Sequence, residues 1–378
     1  MADESGGQEM GNGKKLLLTV LMISSLLLVS RGDCTASYQE YGKLGITLKE
    51  SEYPHDPIPH QFDNSVLLDY NLQINEGNLI GCFKLSANYS QNQDGLFFSL
   101  AKGYVTYQNE FLSFELGKNR VLNGVGYAWN PADIMNPKKS PLYRDEEKRS
   151  DEGVFFTSLS YYGFLNSLAY EVRGIMLPAA DRRQSKGVLS TKLAWQSLET
   201  LFLVGFQKDE QPVYAGTGRF SCTELPFTLY GEFRNYEMKT DWKYLLGIQY
   251  NPSFTVFGGN IQAQLEYFRN ENSYRHDVVD YYAYYPGETP VLGELYENYA
   301  YVGLTYYSLG LITSCGVIKN LDQDGSGMIN YLLTYPLNNE STISLGGYLP
   351  FGRDVDEFPY FIDRNYEIYL TLSIAFGD

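Results

Sequence analysis

Residues Tyr366–Phe376 read Tyr-Glu-Ile-Tyr-Leu-Thr-Leu-Ser-Ile-Ala-Phe. Every second side chain along an extended strand points to the same side. Tyr366, Ile368, Leu370, Leu372, Ile374 and Phe376 therefore share one face, and Glu367, Tyr369, Thr371, Ser373 and Ala375 share the other. A tilted strand crosses a bilayer in about 9–11 residues. This segment has that length, an apolar face, a more polar opposite face and aromatics at its ends, which is the pattern of a transmembrane strand with a lipid side and a lumen side. Strands of a soluble sandwich alternate in the same way but usually stop at about 5–6 residues.

The pattern recurs upstream. Ile261, Ala263, Leu265 and Tyr267 alternate with Gln262, Gln264 and Glu266, and Phe227, Leu229, Gly231 and Phe233 alternate with Thr228, Tyr230, Glu232 and Arg234. Leu168, Tyr170 and Val172 oppose Ala169, Glu171 and Arg173. Counting back from Phe376, the alternation predicts strands near 366–376, 340–349, 326–336, 310–319, 297–307, 259–270, 241–250, 226–237, 212–221, 199–207, 187–196, 166–176, 153–162, 109–119, 96–107, 79–90 and 65–74. A weaker segment, Gly42 to Lys49, supplies an eighteenth. The expected fold is all-β, a transmembrane antiparallel up-and-down β-barrel of about 18 strands, with 16 as the alternative. Closure follows from the solvent, because hydrocarbon cannot satisfy an open sheet edge.

Connection lengths give a second criterion, since such barrels have short turns at one end and longer loops at the other. With the last strand descending, 121–152, 177–186, 271–296, 320–325 and 350–365 fall at the outer end, whereas Asn75 to Asn78, Ser197–Leu198, Ser308–Leu309 and Asn338–Asn339 fall at the inner end.

Composition agrees with this fold. The 378 residues include 34 Tyr and 36 Gly, with 15% aromatic and 20% charged residues. The mean hydropathy of −0.29 and the lack of long apolar runs exclude a polytopic helical membrane protein. Forty-five acids against 29 bases leave a net charge of −16, the wrong sign for a nucleic-acid binder.

At the N-terminus, Lys14 and Lys15 precede the apolar run Leu16 to Val29, which small and polar residues follow. That order predicts a secretory signal peptide over 1–36, cleaved near Gly32 or Ala36, with the barrel over 37–378. The acidic stretch before the lysines makes Met10 an alternative start. Cys34 is preceded by Arg31, Gly32 and Asp33, which is not a lipoprotein pattern, and Cys82, Cys222 and Cys315 are scattered without metal or disulfide spacing.

The stretch Gly117-Lys118-Asn119-Arg120, followed by Gly124-Val-Gly-Tyr-Ala-Trp-Asn-Pro-Ala-Asp-Ile-Met-Asn-Pro137, leaves a predicted strand for the longest early loop. It resembles a segment of porin-like bacterial outer-membrane barrels in which a Gly-Arg-Gln strand end leads into Trp-Gly-x-Gly and then Asn-Pro-x-Asp. Asn119 stands in place of the Gln, and Asn123-Gly124 in place of the first Trp-Gly. The resemblance covers some twenty residues and implies a diffusion channel in the outer membrane of a Gram-negative bacterium.

Pro131 and Pro137 stiffen this loop, and Asn130 and Asn136 suit side-chain-capped turns. The loop either narrows the mouth or covers the rim. Candidate pore and constriction residues are Arg120, Trp129, Asp133, Glu171, Arg173, Lys192, Glu232, Arg234 and Glu266. Asp133 is expected to anchor on a basic wall residue such as Arg173, Lys192 or Arg234. Glu171/Arg173 and Glu232/Arg234, two residues apart on one face, are expected to pair. The lumen charges Lys84, Glu115, Lys243 and Glu367 complete a set nearly balanced in sign, which declares neither anion nor cation preference.

Tyr281, Tyr282, Tyr284 and Tyr285, in an acidic loop, are candidate glycan contacts or part of an aromatic girdle. Asp322-Gln-Asp324-Gly-Ser326-Gly327 begins like a calcium loop, but position twelve is Leu333 instead of a bidentate Glu, so a hairpin turn is favoured and no metal is expected. His55, His60 and His276 form no grouping with a nucleophile and acid, so no enzyme activity and no cofactor are expected.

The leading reading is a porin-like channel for passive diffusion of small hydrophilic solutes, with outer-membrane lipid as its surroundings. Homo-oligomerisation is compatible with it, and nucleic acid is not a partner. The rival readings are a non-conducting barrel that binds surface polysaccharide and a barrel that sheathes a periplasmic electron-transfer partner. In the second rival any haem belongs to the partner, because the chain has no Cys-x-x-Cys-His.

Overall fold

The computed structural model describes residues 37–376 except 53–59, 91–94, 122, 137–152, 180–181, 222–223, 237–241, 272, 274–292, 309, 323–324, 355 and 363–364. The expected signal peptide lies outside the described residues, as do His55, His276 and Tyr281, Tyr282, Tyr284 and Tyr285. His60 is described in its backbone alone.

Eighteen strands follow one another along the chain. They are β1 (Ser37–Glu52), β2 (His60–Glu76), β3 (Leu79–Ser90), β4 (Gly95–Gln108), β5 (Leu112–Asn119), β6 (Val154–Leu165), β7 (Leu168–Leu177), β8 (Lys186–Trp195) and β9 (Leu198–Gln207). The second half comprises β10 (Val213–Ser221), β11 (Phe227–Tyr236), β12 (Trp242–Tyr250), β13 (Asn260–Asn270), β14 (Asn298–Ser308), β15 (Leu311–Asn320), β16 (Gly327–Pro336), β17 (Ser341–Phe351) and β18 (Tyr366–Phe376). Each pairs antiparallel with its sequence neighbours, and β1 closes the sheet on β18 through registers such as Gly45↔Ser373 and Thr47↔Thr371. The result is a closed up-and-down barrel. The count is 18, and the even number brings Ser37 and Phe376 to the same end.

The alternation predicts the faces correctly. On β9, Leu198, Phe202 and Phe206 are exposed on the outer surface while Leu203 is buried inside, and on β18 Ile368, Leu370, Ile374 and Phe376 are exposed while Glu367 is buried. An outer surface of exposed Leu, Val, Ile and Phe is the inverse of a water-soluble barrel and matches a hydrocarbon solvent. No described helix is long and apolar enough to cross a membrane.

Connections sort by end. One end has the turns 77–78, 166–167, 196–197, 309–310 and 337–340, and the other has 120–153, 178–185, 271–297 and 352–365. Asn166 (φ 56°) and Gln196 (φ 51°) take the left-handed conformation that two-residue hairpin turns require. One connection departs from the expected sorting, because 251–259 is long yet lies at the short-turn end. The expected strand over 109–119 starts late, since the Asn109 side chain accepts hydrogen bonds from the Phe111 and Leu112 amides and makes a turn of its first residues.

Strand β5 is the shortest of the 18, and its pairing with β4 runs only from Gly103 to Gln108, so the upper part of β4 lacks β5 as a neighbour. A bulge between Lys84 and Leu85 on β3 falls at the same level, leaving Ala101 of β4 outside the ladder, and the Ala101 carbonyl accepts from Gly153 N at 3.2 Å. The chain thus leaves the wall at Asn119 inside the barrel, below its rim. That early departure is what permits the following loop to turn inward.

Candidate constriction site

The segment 120–136 begins with side chains that bind back to β5. Asn119 Nδ2 donates to Glu115 Oε1 at 2.7 Å and Asn119 Oδ1 accepts from Arg120 N at 2.8 Å. The loop's neck is closed by Asn136, whose Nδ2 donates to Val121 O at 2.6 Å while its Oδ1 accepts from Val121 N at 3.3 Å. Asp133 holds Asn136 in turn, accepting from its Nδ2 at 2.9 and 3.0 Å and from its backbone N at 3.2 Å. With its ends joined through Asn136, the segment is an Ω-type loop.

Its fastening to the wall has the opposite polarity to the expected one. Glu232 on β11 accepts through Oε1 from Val125 N and from Gly126 N at 2.6 Å, and through Oε2 from Ala132 N at 3.0 Å. Glu266 on β13 accepts from Tyr127 N, from Ala128 N at 2.8 Å and from Tyr230 Oη at 2.8 Å. Two wall carboxylates thus grip five successive or near-successive backbone amides of the loop. Glu232 is 4% exposed and Glu266 fully buried. A carboxylate survives such burial only when donors replace its hydration, and charge-assisted bonds are the strongest replacement.

Between the two carboxylates the chain passes Gly126, where an added Cβ would sit 2.0 Å from the Trp129 carbonyl oxygen, so only glycine fits the approach. Trp129 then plugs into the wall. Its ring lies on Phe268 with centroids 5.2 Å apart and an 8° interplanar angle, Tyr299 flanks it at 6.0 Å, and its Nε1 donates to Gly293 O at 2.8 Å.

Two further inward segments meet there. Tyr299 Oη donates to Glu357 Oε2 at 2.7 Å and Gly293 N donates to Glu357 Oε1 at 2.9 Å. Glu357 begins the short helix α1 (Glu357–Ile362), whose Phe358 ring stands edge-on to Tyr299 at 6.5 Å. Lys243 pairs with Glu294 at 2.6 Å, and Asn270 Nδ2 donates to Glu294 O at 2.6 Å. Loop 120–136, the end of 271–297 and helix α1 are therefore one packed body against the inner wall.

That body covers a continuous arc. One apolar cluster joins Ala128 and Trp129 to Tyr230, Leu245, Phe268, Tyr299, Ile318, Met328 and Tyr348, one residue from each strand β11 to β17. A second joins Val121, Ala132 and Met135 to Phe156, Ile175, Val188, Leu203 and Ala215, one from each strand β6 to β10. Among the described residues, the inner faces of β18 and β1 to β5 belong to neither cluster. There the lumen side carries Glu367, Lys49, Asp63, Asp69, Lys84, Lys102 and Glu115, with Thr47 and Thr371 joined at 3.0 Å. Lys49 pairs with Glu367 at 3.0 Å, and Asp69 accepts from Ser86 Oγ at 2.5 Å with Lys84 Nζ at 3.9 Å.

The structure distributes the candidate residues unevenly. Trp129, Glu232 and Glu266 meet in the fastening. Asp133 lies near enough to Arg234, one of its expected basic partners, for their charges to interact, and its side-chain hydrogen bonds go to Asn136 and shape the loop. The expected pairs along a strand are replaced by pairs across strands: Arg173 binds Glu115 at 3.4 Å and Ser158 at 2.9 Å, and Glu171 accepts from Ser160 at 2.9 Å. The Ser158 and Ser160 contacts are diagonal ones to β6, and the long Arg173 side chain reaches past β6 to Glu115 on β5. The Arg120 guanidinium makes no ion pair among the described residues. Lys192 pairs with Glu199 at 2.8 Å in the half-exposed region toward the short turns, away from the loop. Asp322 serves as a cap, accepting from Glu297 N at 2.8 Å and from Asn298 N and Nδ2 at 2.9 and 2.8 Å. Phe268, Tyr299 and Glu357 were not among the candidates; the lumen-side parity of Phe268 and Tyr299, large aromatics at positions where a water-filled lumen would carry polar groups, is the signal that could have found them.

No family model matches the chain, and no curated protein matches it by sequence. Solved structures do match in fold. Pseudomonas aeruginosa OccK5 (OpdH) is 9% identical with a TM-score of 0.55, covering 90% of this chain and 98% of its own. The outer membrane protein OpdK of Pseudomonas aeruginosa is 8% identical at a TM-score of 0.55, covering 90% and 99%. A BenF-like porin from Pseudomonas fluorescens Pf-5 is 9% identical at 0.55 with the same coverage. The chain has the porin-like barrel fold of these outer-membrane proteins.

Proposed function

We propose that the chain is an outer-membrane channel of a Gram-negative bacterium that passes small hydrophilic solutes by diffusion, without catalysis and without a cofactor. The observation that carries this reading is the clamp of Glu232 and Glu266 on the backbone of 120–136, which holds a preformed segment across the interior of a barrel too wide for wall side chains to fill. A barrel that served only as a scaffold would have no use for such a fastened partition. The fold shared with the outer-membrane porins supports the same reading. Solute passes along the uncovered arc of β18 and β1 to β5, and Arg120 and Arg173, beside the loop's departure point, border the narrowing.

Reconstitution into planar bilayers tests it. Stable stepwise conductance is expected, and a correctly folded, heat-resistant barrel that stays silent overturns the proposal. Deleting Ala132 to Glu147 is expected to raise conductance and relax size exclusion while leaving heat-resistant folding intact.

A further inference from the structure

The connection 251–259 between β12 and β13 reads Asn-Pro-Ser-Phe-Thr-Val-Phe-Gly-Gly and carries no charge. It is the one long connection at the short-turn end. Val256 N donates to Gly259 O at 2.8 Å and Gly259 N to Val256 O at 2.9 Å, so the segment is itself a small hairpin whose tip is Phe257 and Gly258. Both tip residues take the left-handed conformation, Phe257 at φ 47° and Gly258 at φ 76°. Asn, Asp or Gly ordinarily fill such a tip, and a bulky residue there is sterically costly. The Phe257 side chain returns nothing to the chain's own packing, for it is 96% exposed, and Phe254 is exposed as well.

The hairpin is held toward the outer surface of the barrel. Tyr306 Oη donates to the Phe257 carbonyl at 3.2 Å, and a Cβ added at Gly259 would lie 2.6 Å from the Tyr306 ring. Tyr306 shares its face of β14 with Val302 and Leu304, both exposed on the lipid side. Phe227 and Tyr250, on the same outer face, pack together at a tilt with centroids 4.9 Å apart.

We propose that hairpin 251–259 is a membrane foot, with Phe254 and Phe257 seated in the headgroup boundary of the phospholipid leaflet at the short-turn end. An uncharged segment continuous with the lipid-facing aromatics suits that boundary, where aromatic rings anchor. The foot fixes the depth of β11 to β14, the strands that carry Glu232, Leu245, Glu266, Phe268 and Tyr299 against the loop. The proposal rests on the membrane-barrel reading.

The test is tryptophan depth quenching in phosphatidylcholine vesicles. Phe257→Trp adds emission to that of the wild type, and the added part is measured against lipids bearing a nitroxide near the headgroup and against aqueous acrylamide. Phe254→Trp serves the same purpose if the tip variant folds poorly, and Leu246→Trp, on the exposed outer face in the middle of β12, reports the barrel itself against lipids bearing a nitroxide deep in the acyl chain. The expected result is loss of at least half the added emission to the shallow nitroxide, with acrylamide several-fold less effective than on the unfolded chain. If Leu246→Trp is quenched by lipid while the hairpin variants answer only to acrylamide, the foot is overturned and the barrel reading stands. If Leu246→Trp also escapes lipid quenching, both fall.

Discussion

The inner wall is divided into two arcs of different chemistry. Strands β6 to β17 present large apolar side chains to the interior and bury them under the loop 120–136, the end of 271–297 and helix α1. Strands β18 and β1 to β5 present lysines, carboxylates, threonines and serines, whose partners are neighbours on the wall itself. The same dyad strand builds both arcs, so the difference lies in what stands opposite each inward side chain. Where a described segment covers the wall, inward positions form a protein core, and where no described segment does, they are the lining of the proposed passage.

The largest expected effect comes from breaking the fastening on the covered arc. Each charge-assisted hydrogen bond contributes about 1.5–3 kcal/mol, and replacing both Glu232 and Glu266 by Ala removes six of them together. Single-channel recording of this double variant is expected to give a severalfold larger and noisier conductance, with the barrel still heat-resistant. A folded variant with wild-type conductance would mean that apolar packing alone holds the loop.

Next in size is Trp129→Ala. Truncating a buried aromatic costs about 3–5 kcal/mol, here confined to docking of the loop, because the ring stacks on Phe268 and is flanked by Tyr299 of the wall. Limited proteolysis of the folded barrel should cut within 120–152 faster by an order of magnitude or more. Glu357→Gln is expected to do the same more mildly, since it keeps one acceptor for Gly293 N and Tyr299 Oη but loses the charge.

The smallest effect concerns charge on the open arc. Lys84→Glu reverses a charge that faces the lumen beside Lys102, and its reversal potential in a salt gradient should move toward cations by a few millivolts to tens of millivolts. Lys192→Glu, in an exposed pair near the short turns, should move it less. Equal shifts at the two sites would remove the distinction between the arcs.

Much of this was legible in the sequence because strand pairing obeys a local rule. The segment Tyr366–Phe376 shows its two faces without reference to any other residue, and the strand count and closure follow from repeating that observation. Trp129 was legible as an insertion point because it follows Gly124 and Gly126 and stands two residues before Pro131, which restrains the chain. The clamp was not. Glu232 and Glu266 look like pore charges in their own strands, and their true partners are backbone amides 100 to 139 residues away, donors that every non-proline residue has. Helix α1 was hidden for a related reason: six residues are too few for a helical period to stand out, and its formation depends on Asp356, whose carboxylate holds Arg353 N at 2.7 Å, and on burial of Phe358.

The division into a covered and an open arc is tested most directly by the native thiol Cys82, which faces the lumen on β3 next to Lys84, whereas Cys315 faces outward on β15. A bulky hydrophilic methanethiosulfonate added to a single open channel should lower the conductance in one step, and Cys82→Ser should abolish that step. On the Cys82→Ser background, Thr47→Cys should restore it, and Leu245→Cys, buried under the loop, should not. A block that persists in Cys82→Ser, or that returns with Leu245→Cys but not with Thr47→Cys, would contradict the account and put the passage on the other side of the barrel.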